Sequence, residues 1–262
     1  MTGTMYAQQM HITLDKDTME SKDVFVVGDV HGCLDELKEL LTKANIVEEN
    51  NDTLKDDVVL IFVGDIVNKG PKTAEVVKYI KDLGPGVYSV RGNHEEKVIK
   101  RKWKRKSYCV DLVRGITESS KIDQLTISDV EYLESFPYTI SIPHLNSIIV
   151  HAGILPSIPL HEQTVVNMTC MRNIVQNSAG AMSGYVETDK GCQWADLWPG
   201  PQHVYYGHDA RRGKDDVGRP RVQLHQFATG LDTRCVKGGE LTGIFLNSKC
   251  IHSVKAHHKY SD

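Results

Sequence analysis

Long apolar runs are missing from this 262-residue sequence. No stretch approaches the ~18 consecutive apolar residues of a membrane span, so none is expected. The first 22 residues lack a basic stretch followed by an apolar core, which excludes a standard secretory signal and reads as a flexible leader. Closely paired cysteines are missing too. The six cysteines stand at 33, 109, 170, 192, 235 and 250, and none forms a C-x-x-C pair, which disfavours a thiolate zinc site. Without a signal, they point to free thiols in a reducing, cytoplasmic compartment. An excess of one charge is also absent: 31 Lys and Arg face 34 Asp and Glu, for a net charge of −3. That excludes a wholesale nucleic-acid coat and leaves room for a local basic patch. No tandem repeat, low-complexity block or domain linker stands out.

What is present is an ordinary globular balance, 40% apolar and 25% charged, in a chain long enough to bury a core unaided. Val24 to Val27, Val58 to Val63 and Val87 to Val90 read as buried strands. Between them, Leu34, Leu37, Leu40, Leu41 and Ala44, then Ala74, Val77 and Ile80, recur at helical spacing. This β-α-β-α-β order predicts parallel strands with right-handed crossovers. The pattern from Glu95 to Pro137 is mostly helical, with a capping box at Ser128-Asp129-Val130-Glu131. Thr139 to Ile142, Ser147 to Val150, Val204 to Tyr206, Gln223 to Phe227 and Leu241 to Leu246 are further strand candidates, and 155–201 is irregular. The expectation is one α/β domain over 23–250, with a mixed sheet or two stacked sheets, and a polar tail over 251–262 in which His257 and His258 are inert.

Chemistry follows the strands. Gly28-Asp29-Val30-His31-Gly32 comes after the first, Gly64-Asp65-Ile66-Val67-Asn68-Lys69-Gly70-Pro71 after the second and Arg91-Gly92-Asn93-His94-Glu95 after the third. His151-Ala152-Gly153 and Gly207-His208-Asp209 follow two later ones. Ligands gather at the carboxyl ends of strands in α/β sheets, so Asp29, His31, Asp65, Asn93, His151 and His208 are placed to surround one point. Carboxylate, amide oxygen and imidazole without thiolate suit a borderline divalent ion such as Mn, Fe or Zn. Six ligands exceed one tetrahedral site and match two neighbouring ions sharing a carboxylate.

The blocks GDVHG, GDIVNKGP, RGNHE, HAG and GH resemble the metallophosphoesterase signature of the PPP-type phosphatases, and more closely its ApaH-like branch. HAGILP, Cys170-Met171-Arg172-Asn173, Trp198-Pro199-Gly200-Pro201, Tyr206-Gly207-His208-Asp209, Thr229-Gly230-Leu231-Asp232-Thr233 and Gly238-Gly239-Glu240-Leu241-Thr242 carry that closer likeness. The resemblance spans Asp23 to Leu246. It implies an α/β (α+β) fold of two mixed sheets in a sandwich flanked by helices. It also implies two divalent ions, manganese first among Mn, Fe, Zn, Co and Mg. Asp29 and His31 would hold one ion, Asp65 would bridge, and Asn93, His151 and His208 would hold the other. His94 would be the general acid with Asn68 beside it, and Lys69, Arg91 and Arg172 would bind substrate phosphate. The implied reaction is hydrolysis of diadenosine tetraphosphate to two ADP. Inorganic polyphosphate, a nucleotide cap of RNA or a phosphoprotein are alternative substrates, and a metal-binding scaffold without activity is the non-enzyme alternative. Protein phosphatases carry Asp-Arg where this chain has Asn68-Lys69, so the likeness to them is the weaker one; Lys69 offers phosphate a point charge in place of a bidentate fork.

Seven of the ten residues from Lys97 to Lys106 are basic. On a helix they occupy every face, which suits steering of a polyphosphate, an RNA end or an acidic partner. Trp103 within the run reads as a packing anchor or a base-stacking platform. Arg211 and Arg212 fit the site rim or a plain surface role, Asp232 a histidine partner or a turn residue, and Cys33 a small packed side chain or, as the lesser reading, a redox switch.

Overall fold

In the computed structural model, which describes residues 9–19, 22–48, 52–108, 124–156 and 158–262, the chain enters through β1 (His11–Thr13) and one turn of helix, α1 (Lys16–Met19). The alternation then runs β2 (Asp23–Val27), α2 (Leu34–Lys43), β3 (Val58–Phe62), α3 (Thr73–Asp82) and β4 (Val87–Ser89). Helices α4 (Asn93–Tyr108) and α5 (Ile127–Glu134) follow, then β5 (Thr139–Ile142), β6 (Ser147–Val150) and α6 (Val165–Cys170). β7 (Asn173–Gln176), β8 (Met182–Tyr185) and β9 (Cys192–Gln193) form a small sheet of their own. β10 (His203–Tyr206), β11 (Gln223–Leu224), β12 (Ala228–Gly230), β13 (Glu240–Phe245) and β14 (Ile251–Lys255) complete the chain.

One sheet has the order β14-β13-β2-β3-β4, and a second has β1-β5-β6-β10-β12-β11. β2, β3 and β4 pair in parallel, whereas β13 joins antiparallel, so both sheets are mixed. Strand side chains alternate between faces. Val24, Val26, Val59 and Ile61 therefore meet Ile140, Ile142, Ile149 and Tyr205 of the second sheet in the layer between. Phe25, Val27, Leu60 and Phe62 face the other way, under Leu37, Leu40, Val76, Ile80, Val98 and Leu133 of the helices. Ile148, Val150, Val204 and Tyr206 on the outer face of the second sheet lie beneath Trp194, Met168 and Met171. A strand buried on both faces reads as an unbroken apolar run, which is why VVLIF of β3 is so clear in sequence.

Several expectations are corrected. Within the supposed leader, β1 pairs with β5, and Met19 and Leu14 enter the inter-sheet core at 1% and 5% exposure. Within the supposed tail, β14 pairs with β13 through five registered residues. Both strands escape sequence reading because an edge strand needs only short, mostly polar segments. The capping box belongs to Thr126 and Asp129: the Thr126 side chain accepts from the Asp129 N–H while the Asp129 carboxylate accepts from the Thr126 N–H. The strand expected over Gln223 to Phe227 is divided, with β11 ending at Leu224 and β12 starting at Ala228.

Met19→Ala should therefore destabilise the protein by about 2–5 kcal/mol, the range for truncating a buried core side chain. Ile127→Ala, at a position 57% exposed on α5, should stay within about 0.5 kcal/mol. Chemical denaturation of the two variants reads the difference.

Candidate metal centre

Asp29, Asp65, Asn93, His151 and His208 lie just beyond β2, β3, β4, β6 and β10, and the fold brings these strand ends together. Asp65 is the meeting point. Its Oδ2 lies 3.4 Å from His151 Nε2, 3.6 Å from His31 Nε2 and 4.0 Å from His94 Nε2. Its Oδ1 accepts the His94 N–H at 2.9 Å, where the first turn of α4 presents an amide hydrogen unused within the helix. Asp29 Oδ2 is 3.9 Å from His31 Nε2, and the Asp29 carboxylate accepts the His208 N–H. Asn93 Oδ1 lies 3.1 Å from both His151 Nε2 and His208 Nδ1. Glycine is required where the carboxylates seat: a Cβ on Gly92 would strike Asp65 Oδ1, and one on Gly207 would strike Asp29 Oδ1.

The donor set fits divalent ions. His31 Nδ1 faces the Val67 carbonyl at 3.1 Å, His151 Nδ1 that of Val63 at 2.8 Å and His208 Nε2 that of Cys170 at 3.0 Å. Each imidazole gives one N–H to the main chain, which aims its other nitrogen into the cluster, as ligating histidines are held. Burial, with the positive charge of Lys69 adding to it, holds His31 down at about 3. Burial likewise pushes His208 well down. Both rings are then neutral with a lone pair to give. Burial lowers His151 as well, but the Asp65 carboxylate beside it outweighs this and holds the ring up at about 10. A proton on His151 thus stands where the cluster's negative charge calls for a cation. At His208 Nδ1 and Asn93 Oδ1, two lone pairs face each other at 3.1 Å, an arrangement that a bound cation relieves.

The Asn68-Lys69 departure has a clear geometry. The Lys69 N–H donates to Asn68 Oδ1 at 2.9 Å, so Asn68 Nδ2 donates to His94 Nδ1 at 2.8 Å. Neutral His94 then carries its proton on Nε2, the nitrogen facing Asp65. Burial lowers the His94 pKa to about 4, with Lys69 and Lys97 adding repulsion. Lys69 Nζ lies 2.7 Å from His31 Nε2, so an ion taken by that nitrogen requires the lysine to swing aside. Arg172 lies near His208, with Nη1 donating to the Val186 carbonyl and Nε 3.6 Å from Asp209 Oδ1.

Arg91 is corrected. It is 1% exposed, pairs with Glu96 at 3.0 Å and donates to the Glu134 carbonyl and the Tyr138 hydroxyl, so the structure holds its guanidinium inside the fold. The base-stacking reading of Trp103 is corrected likewise, because its ring packs on the helical core and its Nε1–H donates to Glu134. Of the basic run, Lys100 pairs with Glu96 and Lys102 donates to the Leu125 carbonyl, while Lys97 and Arg101 are exposed; the side chains at 104–106 lie outside the described residues. Asp232 accepts the Arg234 N–H, the turn reading of that residue. Arg211 pairs with exposed Glu187, and Arg212 with Asp209 and Asn173.

Glu95 is the functional residue missed in sequence, although it ends the RGNHE block. Its carboxylate accepts the N–H groups of Asp65 and Gly92, each at 2.8 Å, and of Val67 at 3.3 Å, tying two site loops together. Burial lifts its pKa to about 7.

Arg91→Ala should cost about 3–5 kcal/mol of stability, as expected when one partner of a buried ion pair is removed, and should leave substrate KM unchanged. Denaturation and steady-state kinetics of that variant test the correction.

Residues 23–221 match the calcineurin-like phosphoesterase family. The chain is 30% identical over 229 residues to the asymmetrical bis(5'-nucleosyl)-tetraphosphatase PrpE of Oceanobacillus iheyensis, covering 83% of this chain and 86% of that one. It is 32% identical over 133 residues to a symmetrical bis(5'-nucleosyl)-tetraphosphatase of Hamiltonella defensa, covering 50% and 44%. A crystal structure provisionally described as a diadenosine tetraphosphatase shares 34% identity and a TM-score of 0.76, covering 95% of this chain and 98% of its own. With the fold, the motif blocks and the strand-end cluster in agreement, the chain belongs to the calcineurin-like phosphoesterases.

Proposed function

We propose that this protein is a two-metal phosphoanhydride hydrolase whose substrate is a dinucleoside tetraphosphate. The observation that carries the reading is the convergence of three imidazoles on one oxygen of Asp65, with Asn93 between His151 and His208. Asp29 and His31 would hold one ion, Asn93, His151 and His208 the other, and Asp65 both; manganese is the ion we favour. Bound there, divalent ions supply Lewis acidity for activating water and neutralising phosphoryl oxygens. Lys69 and Arg172 orient the phosphate chain and offset its charge. The neutral His94 ring donates its Nε2–H as a hydrogen bond to the leaving oxygen as charge develops there, and Asn68 keeps that hydrogen on the correct nitrogen. Exposed Lys97 steers the polyanion.

A nucleoside phosphate is a far weaker base than a serine alkoxide. It needs little help from a charged acid, which suits an Asn where protein phosphatases place Asp. We further propose that the chain works as one catalytic domain in a reducing cytoplasm. The unbridged state of the five described cysteines supports that setting, and no helix among the described residues is long and apolar enough to cross a membrane.

Incubation of manganese-loaded protein with diadenosine tetraphosphate should release two ADP, or AMP and ATP. The first pair reports a cut at the central anhydride, the second a cut at an outer one, and no turnover by metal-loaded protein overturns the reading. His94→Asn should lower kcat by about 10²- to 10³-fold with bound metal, counted by mass spectrometry, unchanged. Arg172→Ala should raise KM more than it lowers kcat.

A further inference from the structure

Cys33, Glu36 and Cys235 form a second cluster that shares no residue with the centre above. Their ligand atoms, two sulfurs and a carboxylate oxygen, all lie within 4.8 Å of one another. The three residues are 0%, 1% and 2% exposed. The Glu36 carboxylate is divided in its bonding. Oε1 accepts the His257 N–H and the Tyr260 hydroxyl, each at 2.8 Å. Oε2 is buried and has no hydrogen-bond partner. A buried carboxylate oxygen left in that state is costly, because it has given up water and gained nothing in return. Nearby, Cys33 Sγ lies 4.0 Å from the His31 carbonyl oxygen.

We propose that these three side chains bind a soft divalent cation, zinc by their chemistry. Two thiolates select zinc over the hard ions that suit carboxylate and water. Zn–S bonds of about 2.3 Å and Zn–O bonds of about 2.0–2.2 Å in a tetrahedron put ligand atoms roughly 3.6–3.8 Å apart, inside the limit these atoms meet. Binding releases the two thiol protons to solvent, and the cation answers the unpartnered Oε2. His257 and Tyr260 hold Oε1, which leaves Oε2 as the oxygen with lone pairs to give. Cys33 is the N-cap of α2, directly after the loop bearing Asp29 and His31, and Cys235 follows the turn made by Asp232. The ion would therefore join the start of α2 to the Asp232 loop and, through Glu36, to the stretch beyond β14. The missing C-x-x-C pair is no obstacle, because the fold, not local spacing, brings the thiols together.

Cobalt substitution of the full-length protein under a non-thiol reductant tests this. A thiolate ligand gives cobalt an intense near-ultraviolet charge-transfer band that oxygen and nitrogen ligands do not. The wild type should show the band. It should persist in Asp29→Asn, which weakens the other centre, and vanish in Cys235→Ser, which should also bind one zinc fewer per chain by mass spectrometry. Manganese-dependent hydrolysis by Cys235→Ser should be unchanged, and a failure of the hydrolase reading would leave the band in place. A wild type without the band in excess cobalt overturns the proposal whether or not the variant folds. So does a band that survives Cys235→Ser, or a thiol count two short with no metal, which would assign a disulfide.

Discussion

Asp65 Oδ2 lies within 4.0 Å of imidazole nitrogens delivered by three separate loops, in a position that is 2% exposed. Removing a carboxylate from water is among the costliest steps a fold takes, and it persists only when paired. The pairing is built in layers. The amide hydrogen of His94 holds Oδ1, and at Oδ2 the protonated His151 ring and the Nε2–H of His94 answer the charge. Glu95 fixes the Asp65 backbone from below. Moving any of these loops would leave a desolvated charge unanswered, so the relative placement of β2, β3, β4, β6 and β10 is tied to this one group.

The same loops carry backbone strain. His31, Asp65, Asn68, Lys69 and His208 all have positive φ, half of the ten non-glycine residues that do among those described. L-residues adopt that region at a cost of roughly 1–2 kcal/mol each. Strain of this size is sustained only where surrounding structure over-determines the conformation. The two-sheet core supplies that, since the strands preceding Asp29, Asp65 and His151 are buried along almost their whole length. The conformations in turn direct side chains back over the strand ends, where an extended continuation would carry them away.

How much of this could be read from residues alone follows from the range of each signal. Strands buried on both faces announce themselves as apolar runs, and a Gly-Asp or Gly-His directly after one marks a polar side chain at the strand end; the positions of β2, β3 and of Asp29 or Asp65 needed nothing more. Side-chain direction is not encoded that way. Arg91 and Asn93 sit two residues apart in one block, yet Asn93 faces the cluster while Arg91 turns back to Glu96 and the Glu134 carbonyl. Partners that make Trp103 a packing residue, or that join Cys33 to Cys235, are set by tertiary contact and leave no local pattern. β1 and β14 are short edge strands whose polar residues resemble loops. Glu95 was visible as a residue, but its work is done on backbone N–H groups, which a sequence does not display.

The Asn68-Lys69 pair shows how a small departure can redirect a shared centre. A carboxylate beside His94 would favour the imidazolium and strengthen the ring as an acid reservoir for poor leaving groups. Asn68 is neutral, and its orientation is fixed by the Lys69 N–H, so it selects a tautomer without adding charge. Lys69, brought to 2.7 Å from His31 Nε2, lowers the affinity of both His31 and His94 for protons. The result is a site with more positive charge facing the substrate and less proton-storing capacity. That balance favours a substrate with several phosphate charges and a leaving group stable as an anion. Both properties belong to a phosphoanhydride, and neither belongs to a phosphoserine ester.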